Sequence, residues 1–478
     1  MDILTSRIGG RHVASEDTGE NINPSDTNDV IGLYSRATPE TVEEAISAAS
    51  EAAPDWAATS PQQRADILLR IASEIRSRSH ELGRLLSREE GKVLGEGIGE
   101  VMRAAQVFEF FSGEALRMSG DRFPSTRENV TVEVVREPVG VVAAITPWNF
   151  PIAIPAWKIA PALAFGNTVV FKPAELVPAS AHALVDIAIR SGLPDGVLNL
   201  VLGSGSVLGP ALYGSSDVDA ISFTGSLETG REVLAGAAGQ LTKVQLEMGG
   251  KNPLVIATDA DLELALDVAM QGAFGSTGQR CTASSRLIVE DSVHDEFVER
   301  LAHKMSGIGV GNALSEESEM GPVVDKRQLD IDLRYLEIAK EEGAEAVLGG
   351  ELLEKDTPGF YLSPALILGT HNHQRVNQEE IFGPIATVIR VADYEEALST
   401  ANDTPFGLSS GICTTSLRLA EHFQSHAQAG IVTINLPTAG VDPHAPFGGR
   451  KASSYGPREQ GSQAREFFTQ TKTGYRLP

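Results

Sequence analysis

The sequence predicts an α/β fold built on mostly parallel sheets, and three observations support this fold class. Short apolar runs alternate with amphipathic stretches between residues 140 and 256. Glycine-rich turns follow several of these apolar runs, and a second alternating series continues to about residue 434. Because strand–helix–strand units join parallel strands through right-handed crossovers, this pattern favours open sheets that helices cover.

Length and composition narrow the class of protein. A chain of 478 residues exceeds the roughly 250–300 residues of one core, so we expect two or three domains. Its net charge of −25 would repel a phosphate backbone, so no nucleic acid is expected as a partner. No apolar run approaches the ~20 residues of a membrane span, and no secretory signal is evident. Only two cysteines are present, which fits a reducing, cytoplasmic setting.

The first elements are predicted from their ends. Thr38 and Ser60 each precede a proline, and a capping hydroxyl followed by proline begins a helix. Helical periodicity then continues to about Met118, and apolar alternation predicts a half-exposed strand over 129–136.

The two α/β series supply the remaining elements. The first is expected to contain buried strands at 141–145, 168–171, 198–202, 220–223, 244–246 and 254–256, with helices near 155–165, 178–191, 205–213 and 226–238. The second is expected to contain helices at 261–276, 293–305 and 326–342, with strands at 286–290, 386–391 and 431–434. The tail over 467–476 is expected to add a strand to a neighbouring subunit.

Cys281 is the candidate nucleophile. It lies in a glycine-bearing turn, GQRCT at 278–282, and a chain with two cysteines has no disulfide framework to build. Glu247 ends an apolar run, a setting that can raise the pKa of a carboxyl group into the range of a general base. Cys413 lies among apolar residues, where a free cysteine usually acts as a small buried hydrophobe.

Two glycine-rich turns are candidate phosphate sites. The runs GSGSVLG at 203–209 and FTGSLETG at 223–230 each follow a predicted strand, so backbone amides and a helix N-terminus could meet a pyrophosphate. Neither is a complete dinucleotide fingerprint, and such turns also occur without a ligand. Lys172 and Glu175 could bind a ribose diol or form a solvated pair. Asn149 could donate to an oxyanion or only shape a proline-flanked turn.

Together these runs resemble the aldehyde dehydrogenase superfamily over essentially the whole chain. The motifs that carry the resemblance follow the family order and spacing. They are PWNFP at 147–151, KPAE at 172–175, FTGS at 223–226, LEMGG at 246–250, GQRC at 278–281, EIFGP at 380–384 and PFGGRK at 446–451.

The resemblance implies a domain organisation and an assembly. It implies a Rossmann-like parallel-sheet cofactor domain formed by residues 1–121 and 141–249, and an α/β catalytic domain over 250–445. A small β bridging and oligomerisation element would comprise 122–140 and 446–478. A homodimer or homotetramer that uses NAD is implied, with NADP accepted by some members. No metal is implied.

The resemblance also implies roles for individual residues. Cys281 would attack the aldehyde as a thiolate, Asn149 would stabilise the oxyanion, and Glu247 would activate water to release the acid. Because relatives that acylate CoA lack the base, Glu247 favours hydrolysis. Glu175 would repel a 2′-phosphate and so favour NAD. The cofactor would be bound by Ile145, Thr146, Pro147, Trp148, Lys172, Glu175, Gly205, Gly209, Phe223, Thr224, Gly225, Ser226, Leu246, Gly249, Glu380 and Phe382.

Within the superfamily the chain is most similar to bacterial dehydrogenases of 2-oxoglutarate semialdehyde. The similarity lies in residues 150–158, 277–286 and 445–461, and in Ser454, where most members have glycine. Succinate-semialdehyde enzymes have arginines where this chain has Trp157 and Gly275. An acidic semialdehyde would therefore need another anchor, and the candidates are Arg103 and then Arg280, although either could form a structural salt bridge.

Further expectations concern the tunnel and the alternatives. Phe150, Trp157 and Thr282 are expected to line the substrate tunnel, although the aromatic pair could simply be core. A succinate-semialdehyde or broad-range aldehyde dehydrogenase is the nearest alternative function. A thiol esterase or hydrolase would need a histidine base, and none of the ten histidines lies in a recognisable signature. An inactive binding protein would be expected to lack Cys281 or Glu247.

Overall fold

The computed structural model describes residues 3–440 and 442–478. Its strands are β1 Ile3–Leu4, β2 Ser6–Ile8, β3 Arg11–Val13, β4 Thr18–Asn23, β5 Asp26–Ser35, β6 Asp121–Pro124, β7 Thr131–Pro138, β8 Val141–Ile145, β9 Thr168–Lys172, β10 Leu198–Leu200, β11 Ala220–Thr224, β12 Lys243–Glu247, β13 Pro253–Ile256, β14 Arg286–Glu290, β15 Ala346–Gly349, β16 Ala365–Leu368, β17 Ile385–Val391, β18 Phe406–Gly407, β19 Ser409–Cys413, β20 Ile431–Ile434, β21 Arg450–Lys451, β22 Ser454–Tyr455 and β23 Thr469–Arg476.

Its helices are α1 Pro39–Ala58, α2 Pro61–Ser77, α3 Ser79–Glu90, α4 Leu94–Ala115, α5 Ala153–Ala164, α6 Pro178–Arg190, α7 Gly205–Tyr213, α8 Leu227–Ala238, α9 Leu262–Phe274, α10 Asp291–Ser306, α11 Lys326–Glu341, α12 Arg375–Gln378, α13 Tyr394–Asn402, α14 Leu417–His426 and α15 Arg465–Phe468. The predicted caps are confirmed, because Thr38 and Ser60 accept from the third backbone N–H of α1 and α2. In the described residues no helix is long and apolar enough to cross a bilayer.

The first sheet confirms the predicted parallel architecture. Its strand order is β22-β12-β11-β8-β9-β10-β2-β3. The five strands from β12 to β10 run parallel, and antiparallel strands flank them. Residues 141–145 are buried throughout β8, as expected for a strand that helices cover on both faces.

The second sheet has the order β15-β16-β17-β14-β13-β19-β20 and is parallel except for β15. The predicted strands at 286–290, 386–391 and 431–434 all belong to it. The sequence prediction missed β15, β16 and β19, and with them α13 and α14, and it counted the strand at 254–256 in the first series although β13 belongs to this sheet. Cys413 ends β19 and is buried there, as expected. The domain boundaries that the sequence predicts are not tested by the order of the strands and stay a prediction.

The third sheet contains the C-terminal tail. Strand β23 pairs along its whole length with β7 of the same chain, and β6 completes an antiparallel sheet. This pairing occupies one edge of β23 and leaves the other open, so the expected addition to a neighbouring subunit stays a prediction. Just before the strand, Phe467 and Phe468 are buried in the core beneath the first sheet and fix the tail to its own chain.

Three connections bring distant parts of the chain together at one place. Strand β12 ends at Glu247, and the segment that follows crosses to β13 in the second sheet. Strand β8 ends just before Asn149, and β14 begins shortly after Cys281. Because β13 and β14 are neighbours, with Pro253 opposite Arg286, the crossing segment lies beside the loop that carries Cys281.

We predict that Phe467→Ala destabilises the protein by about 3–5 kcal/mol, because it leaves a cavity under a fully buried ring. Phe467 is 0% exposed and meets Phe468 edge to face at 4.8 Å. Tyr475→Ala is the matched control, since Tyr475 is on β23 but 62% exposed. The denaturation midpoint in urea measures both. Equal midpoints for the two variants would show that the tail is held by its strand and not by its phenylalanines.

Candidate active site

Glu247 and Cys281 are joined through the segment that follows β12. A Cβ added to Gly250 would lie 2.6 Å from the carbonyl oxygen of Cys281, so this close approach requires glycine. Asn252 Nδ2 donates to the same carbonyl at 2.8 Å and to that of Ala283 at 3.0 Å. The loop carrying the sulfur is therefore fixed against the loop that begins at the carboxylate.

The turn before Cys281 is held in a sparsely populated conformation. Ser276, Thr277 and Gly278 have φ of 49°, 56° and 66°, and non-glycine residues rarely adopt positive φ. A Cβ on Gly278 would lie 2.1 Å from the carbonyl oxygen of Gly383, so only glycine fits. Glu96 accepts from the Ser276 backbone N–H at 2.9 Å. Such strain is typical of functional loops that their surroundings hold rigid.

Asn149 lies against the same loop. It is 2% exposed, and its Nδ2 donates to the carbonyl of Gln279 at 2.9 Å. Lys92 Nζ donates to the backbone carbonyl of Asn149 at 2.6 Å and to Glu100 Oε2 at 2.8 Å. The other oxygen of Glu100 accepts from the backbone N–H of Ile152 at 2.9 Å. A buried cation and a carboxylate thus fix both ends of the turn that presents Asn149.

Electrostatics keeps this buried lysine charged. Burial lowers the pKa of Lys92, but the carboxylates of Glu100 and Glu90 raise it by more, so the net shift is upward. Burial raises the pKa of Glu90 to about 8. Sequence reasoning missed Lys92 and Glu100, since a lysine within the predicted helical region does not differ in sequence from one on a surface.

Glu247 occupies a dry and largely acidic environment. It is 2% exposed, and Ser454 Oγ donates to its Oε2 at 2.5 Å. Burial raises the pKa of Glu247 well above its ordinary value, and nearby Glu459 raises it further. The hydrogen bond from Ser454 and the charges of Lys158 and Arg458 act in the opposite direction. A carboxyl group in this setting has the raised proton affinity of a base.

A second buried ion pair lies behind Glu247. Lys158 and Glu459, 0% and 2% exposed, are hydrogen-bonded to each other. Lys158 also donates to Ser222 Oγ at 3.0 Å, and Ser222 donates to Gln245 Oε1 at 2.9 Å. Sequence reasoning assigned no role to this pair. A lysine inside the otherwise apolar helix α5 was the available signal, because an unpaired charge there would be very unfavourable.

Cys281 is partly exposed and is surrounded by acids. Burial raises the pKa of its thiol, and the carboxylates of Glu380 and Glu247 raise it further. Burial also raises the pKa of Glu380 to about 7. Glu380 Oε1 accepts from the Gly250 backbone N–H at 3.0 Å, and Gly249 approaches so closely that a Cβ there would lie 2.0 Å from the other oxygen. In this arrangement the thiol keeps its proton at neutral pH.

The residues predicted to bind a cofactor fall into two groups. One surrounds Cys281, where the rings of Trp148 and Phe382 meet edge to face at 5.4 Å and Phe382 has φ 69°. The other lies at the end of β9. There Lys172 is 4% exposed and donates to the Pro173 carbonyl at 2.9 Å, and burial lowers its pKa to about 8. Glu175, three residues further, is exposed.

Other residues predicted to bind the cofactor lie at the ends of strands and the starts of helices. Gly205 begins α7, and a Cβ there would lie 3.5 Å from Lys172 Nζ. Gly209 is buried one turn further into the helix. Gly225 donates to the backbone carbonyl of Glu247 at 3.1 Å, and Ser226 caps α8. The predicted residues Ile145, Thr146, Phe223 and Leu246 are buried, and Pro147 and Thr224 are partly exposed.

The arginines predicted as anchors differ in their surroundings. Arg280 Nη2 donates to Glu96 Oε1 and to Ser276 Oγ, each at 2.8 Å. These hydrogen bonds hold the Arg280 side chain against its own loop, which argues against the predicted contact between Arg280 and a substrate. Arg103 Nη1 is buried without a hydrogen-bond partner among the described residues. Burial lowers the pKa of Arg103, and Asp442 opposes this.

The residues predicted to line the tunnel lie on α5, just before it, and in the nucleophile loop. Trp157 packs against Phe447 with ring centroids 5.1 Å apart. The Phe150 ring lies under Lys92 Nζ at 3.9 Å, and Thr282 is buried. Among the residues that the structure describes, no cluster of three or more His, Cys, Asp or Glu side chains could hold a metal.

Comparisons with known proteins agree with this geometry. A model of the Aldehyde dehydrogenase family matches residues 12–474. The chain belongs to the aldehyde dehydrogenase family.

Individual relatives indicate which aldehyde dehydrogenases this chain resembles. Alpha-ketoglutaric semialdehyde dehydrogenase of Bacillus subtilis is 43% identical over the whole of both chains. The 2,5-dioxopentanoate dehydrogenase of Saccharolobus solfataricus is 40% identical over 95% of each. A solved structure of betaine aldehyde dehydrogenase from Staphylococcus aureus, in complex with NAD+, is 35% identical with a TM-score of 0.97 and covers 99% of this chain and 95% of that one.

Proposed function

We propose that this protein oxidises 2-oxoglutarate semialdehyde to 2-oxoglutarate with NAD+ as the oxidant. The observation that carries the reaction class is the convergence of Cys281, Asn149 and Glu247 through short contacts between their loops. The substrate is supported by relatives that are 40–43% identical and are named for this aldehyde. Betaine aldehyde dehydrogenases are 38–40% identical. Sequence identity therefore separates the two substrates poorly, and the choice of an acidic aldehyde also needs a positive charge in the site.

Unused polar groups near the strand ends fit a dinucleotide. In the part of the chain that the structure describes, Thr146 and Thr224 have buried hydroxyl oxygens without hydrogen-bond partners. Lys172 uses one of its three donors on a backbone carbonyl, which leaves the others for a ribose diol. Glu380 is a carboxylate beside Cys281 that could accept from a second ribose. We propose that these groups bind NAD+, and the exposed Glu175 carboxylate disfavours the 2′-phosphate of NADP.

We propose that Cys281 forms the covalent intermediate. The partly exposed thiol gives its proton to solvent water, the sulfur bonds to the aldehyde carbon, and the carbon–oxygen π electrons move to the carbonyl oxygen, which becomes an oxyanion. Asn149 donates one N–H to Gln279, so its other N–H is available to that oxyanion together with the backbone N–H of Cys281. One such donor typically contributes about 100–1000-fold in kcat.

The second half of the reaction needs a base. When bound, NAD+ supplies the hydride acceptor. Loss of hydride from the thiohemiacetal leaves a thioester on Cys281. Glu247 then takes a proton from water, the water oxygen bonds to the acyl carbon, and the carbon–sulfur bond breaks to release the carboxylic acid. The raised pKa of Glu247 makes it suited to accept that proton.

We propose that Arg103 binds the remote carboxylate of the substrate. On α4, positions 96, 100 and 103 lie on one helix face. Glu96 contacts the nucleophile loop and Glu100 contacts the turn after Asn149. Arg103 follows them on this face, so it lies one turn beyond the reacting groups. Its buried Nη1 has no hydrogen-bond partner within residues 3–440 and 442–478, and a buried cation gains most from an anion with which it can hydrogen-bond.

We also propose a cytoplasmic homo-oligomer, either a dimer or a tetramer. The sheet β23-β7-β6 leaves β6 and β23 as edges, and open edges usually need covering or pairing. Phe123 and Tyr475 on those edge strands are 51% and 62% exposed. A second copy that covers this sheet would bury both rings.

We predict that Glu247→Gln separates acylation from hydrolysis. Formation of NADH in the first turnover should stay within a few fold of the unmodified protein, while the steady-state rate falls at least about 100-fold, because a glutamine cannot take the proton from water. Stopped-flow absorbance at 340 nm measures both phases. Cys281→Ala, as the control, should show neither phase. A Glu247→Gln variant with a normal steady state would remove this residue as the base.

We predict that Arg103→Met raises KM for 2-oxoglutarate semialdehyde by about 10–100-fold, the loss of a hydrogen bond to a charged group. The KM for propanal should change less than threefold, because propanal has no carboxylate to bind. Arg117→Met, an exposed arginine after α4 that pairs with Glu114, is the matched control. Steady-state NADH formation with both aldehydes and with betaine aldehyde gives the comparison. A higher kcat/KM for betaine aldehyde in the unmodified protein would contradict the substrate proposal.

A further inference from the structure

Ser454 meets the carboxylate of Glu247 across two strands. Edge strand β22 pairs antiparallel with β12 so that Ser454 lies opposite Glu247. Ser454 Oγ donates to Glu247 Oε2 at 2.5 Å, and the backbone N–H of Gly449 donates to the same Oγ at 2.6 Å. A hydroxyl has a single proton. Since Gly449 already supplies a donor to this oxygen, the proton of Ser454 is directed at the carboxylate.

We infer that Ser454 is a positioning residue for Glu247, which holds the base at the edge of the first sheet and stabilises its charged form. The inference rests on the proposed role of Glu247 in hydrolysis of the thioester. Ser454 reaches this position from the C-terminal part of the chain, where a short turn links β21 to β22. Strand β21 pairs with β18 while β22 joins the first sheet, so the segment is fixed on both sides of that turn.

No other described side chain makes a hydrogen bond to this carboxylate. Glu247 Oε1 is buried without a partner, and a Cβ on Gly448 would lie 2.6 Å from it, so no side chain fits there. Four charged or titratable groups face Glu247 from the packed elements and influence its protonation: Lys158 from α5, Cys281 from the nucleophile loop, and Arg458 and Glu459 from the segment after β22.

The sign of the effect follows from these surroundings. Burial and Glu459 raise the pKa of Glu247, whereas the Ser454 hydrogen bond lowers it. A base must be deprotonated to accept a proton from water. By stabilising the carboxylate, Ser454 extends hydrolysis to lower pH. Without the hydroxyl, the pKa of Glu247 rises and hydrolysis requires a higher pH.

The decay of the acyl-enzyme against pH tests this directly. Excess protein with NAD+ is mixed with limiting propanal, quenched in acid at intervals, and the thioester is followed by intact mass. We expect Ser454→Ala to move the midpoint of the decay rate upward by about one pH unit, a tenfold change in proton affinity. The rate at high pH should stay within about twofold. Ser454→Thr keeps the hydroxyl and should restore the original midpoint.

Ser453→Ala is the matched control. Ser453 is the neighbouring buried serine, and its Oγ accepts from the Gly407 backbone N–H at 3.0 Å. It should leave the midpoint unmoved. If Ser454→Ala folds poorly by its thermal midpoint, Ser454→Gly replaces it, since it also removes the hydroxyl without adding bulk.

Three outcomes would overturn the inference. The midpoint could stay in place in Ser454→Ala, it could move to lower pH, or it could move equally in Ser453→Ala. Glu247→Gln in the same assay distinguishes failure of the positioning role from failure of the proposed base. Slow decay in Glu247→Gln with an unmoved midpoint in Ser454→Ala rejects the positioning role alone. Unchanged decay in Glu247→Gln rejects the proposed base, and the positioning role with it.

Discussion

The burial of Glu247 close to other acidic groups is the constraint on which the rest of this site depends. Glu247 is 2% exposed, and Glu380 is held against Gly249 and Gly250 beside Cys281. In a dry setting each carboxyl group holds its proton more tightly, and each neighbouring negative charge strengthens that effect. The same surroundings keep the Cys281 thiol neutral. The proposed chemistry relies on these raised pKa values, because they make Glu247 a stronger base and favour the protonated form of the Cys281 thiol.

Buried ion pairs and hydrogen bonds hold the residues of the site in place. Lys92 and Glu100 fix the turn that presents Asn149, and Lys158 with Glu459 forms a second ion pair near Glu247. Breaking a buried pair by removing one partner is strongly destabilising, because the other charge is left without compensation. Substitutions at these pairs can therefore affect stability as well as chemistry.

The sequence predicted what depends on local pattern and on strongly marked motifs. Strands β8 and β14 were predicted to the residue, because continuous apolar runs between turns leave little ambiguity. The loops of Cys281, Glu247 and Asn149 were identified by their motifs. Ser454, Lys92 and Glu459 could not be given roles, because their partners lie far away in the chain and their burial depends on packing. Arg280 lies next to the nucleophile in sequence, yet its side chain binds Glu96.

In the proposed reaction the Cys281 sulfur and the Glu247 carboxylate act in turn on the same substrate carbon. A peptide map of the unmodified protein, acid-quenched during its first turnover with NAD+ and 2-oxoglutarate semialdehyde, tests that claim most directly. We predict an added acyl mass on the peptide that contains Cys281 and none on the peptide that contains Cys413. An acyl group on any other residue, or product formed with no adduct at any time, would contradict the account.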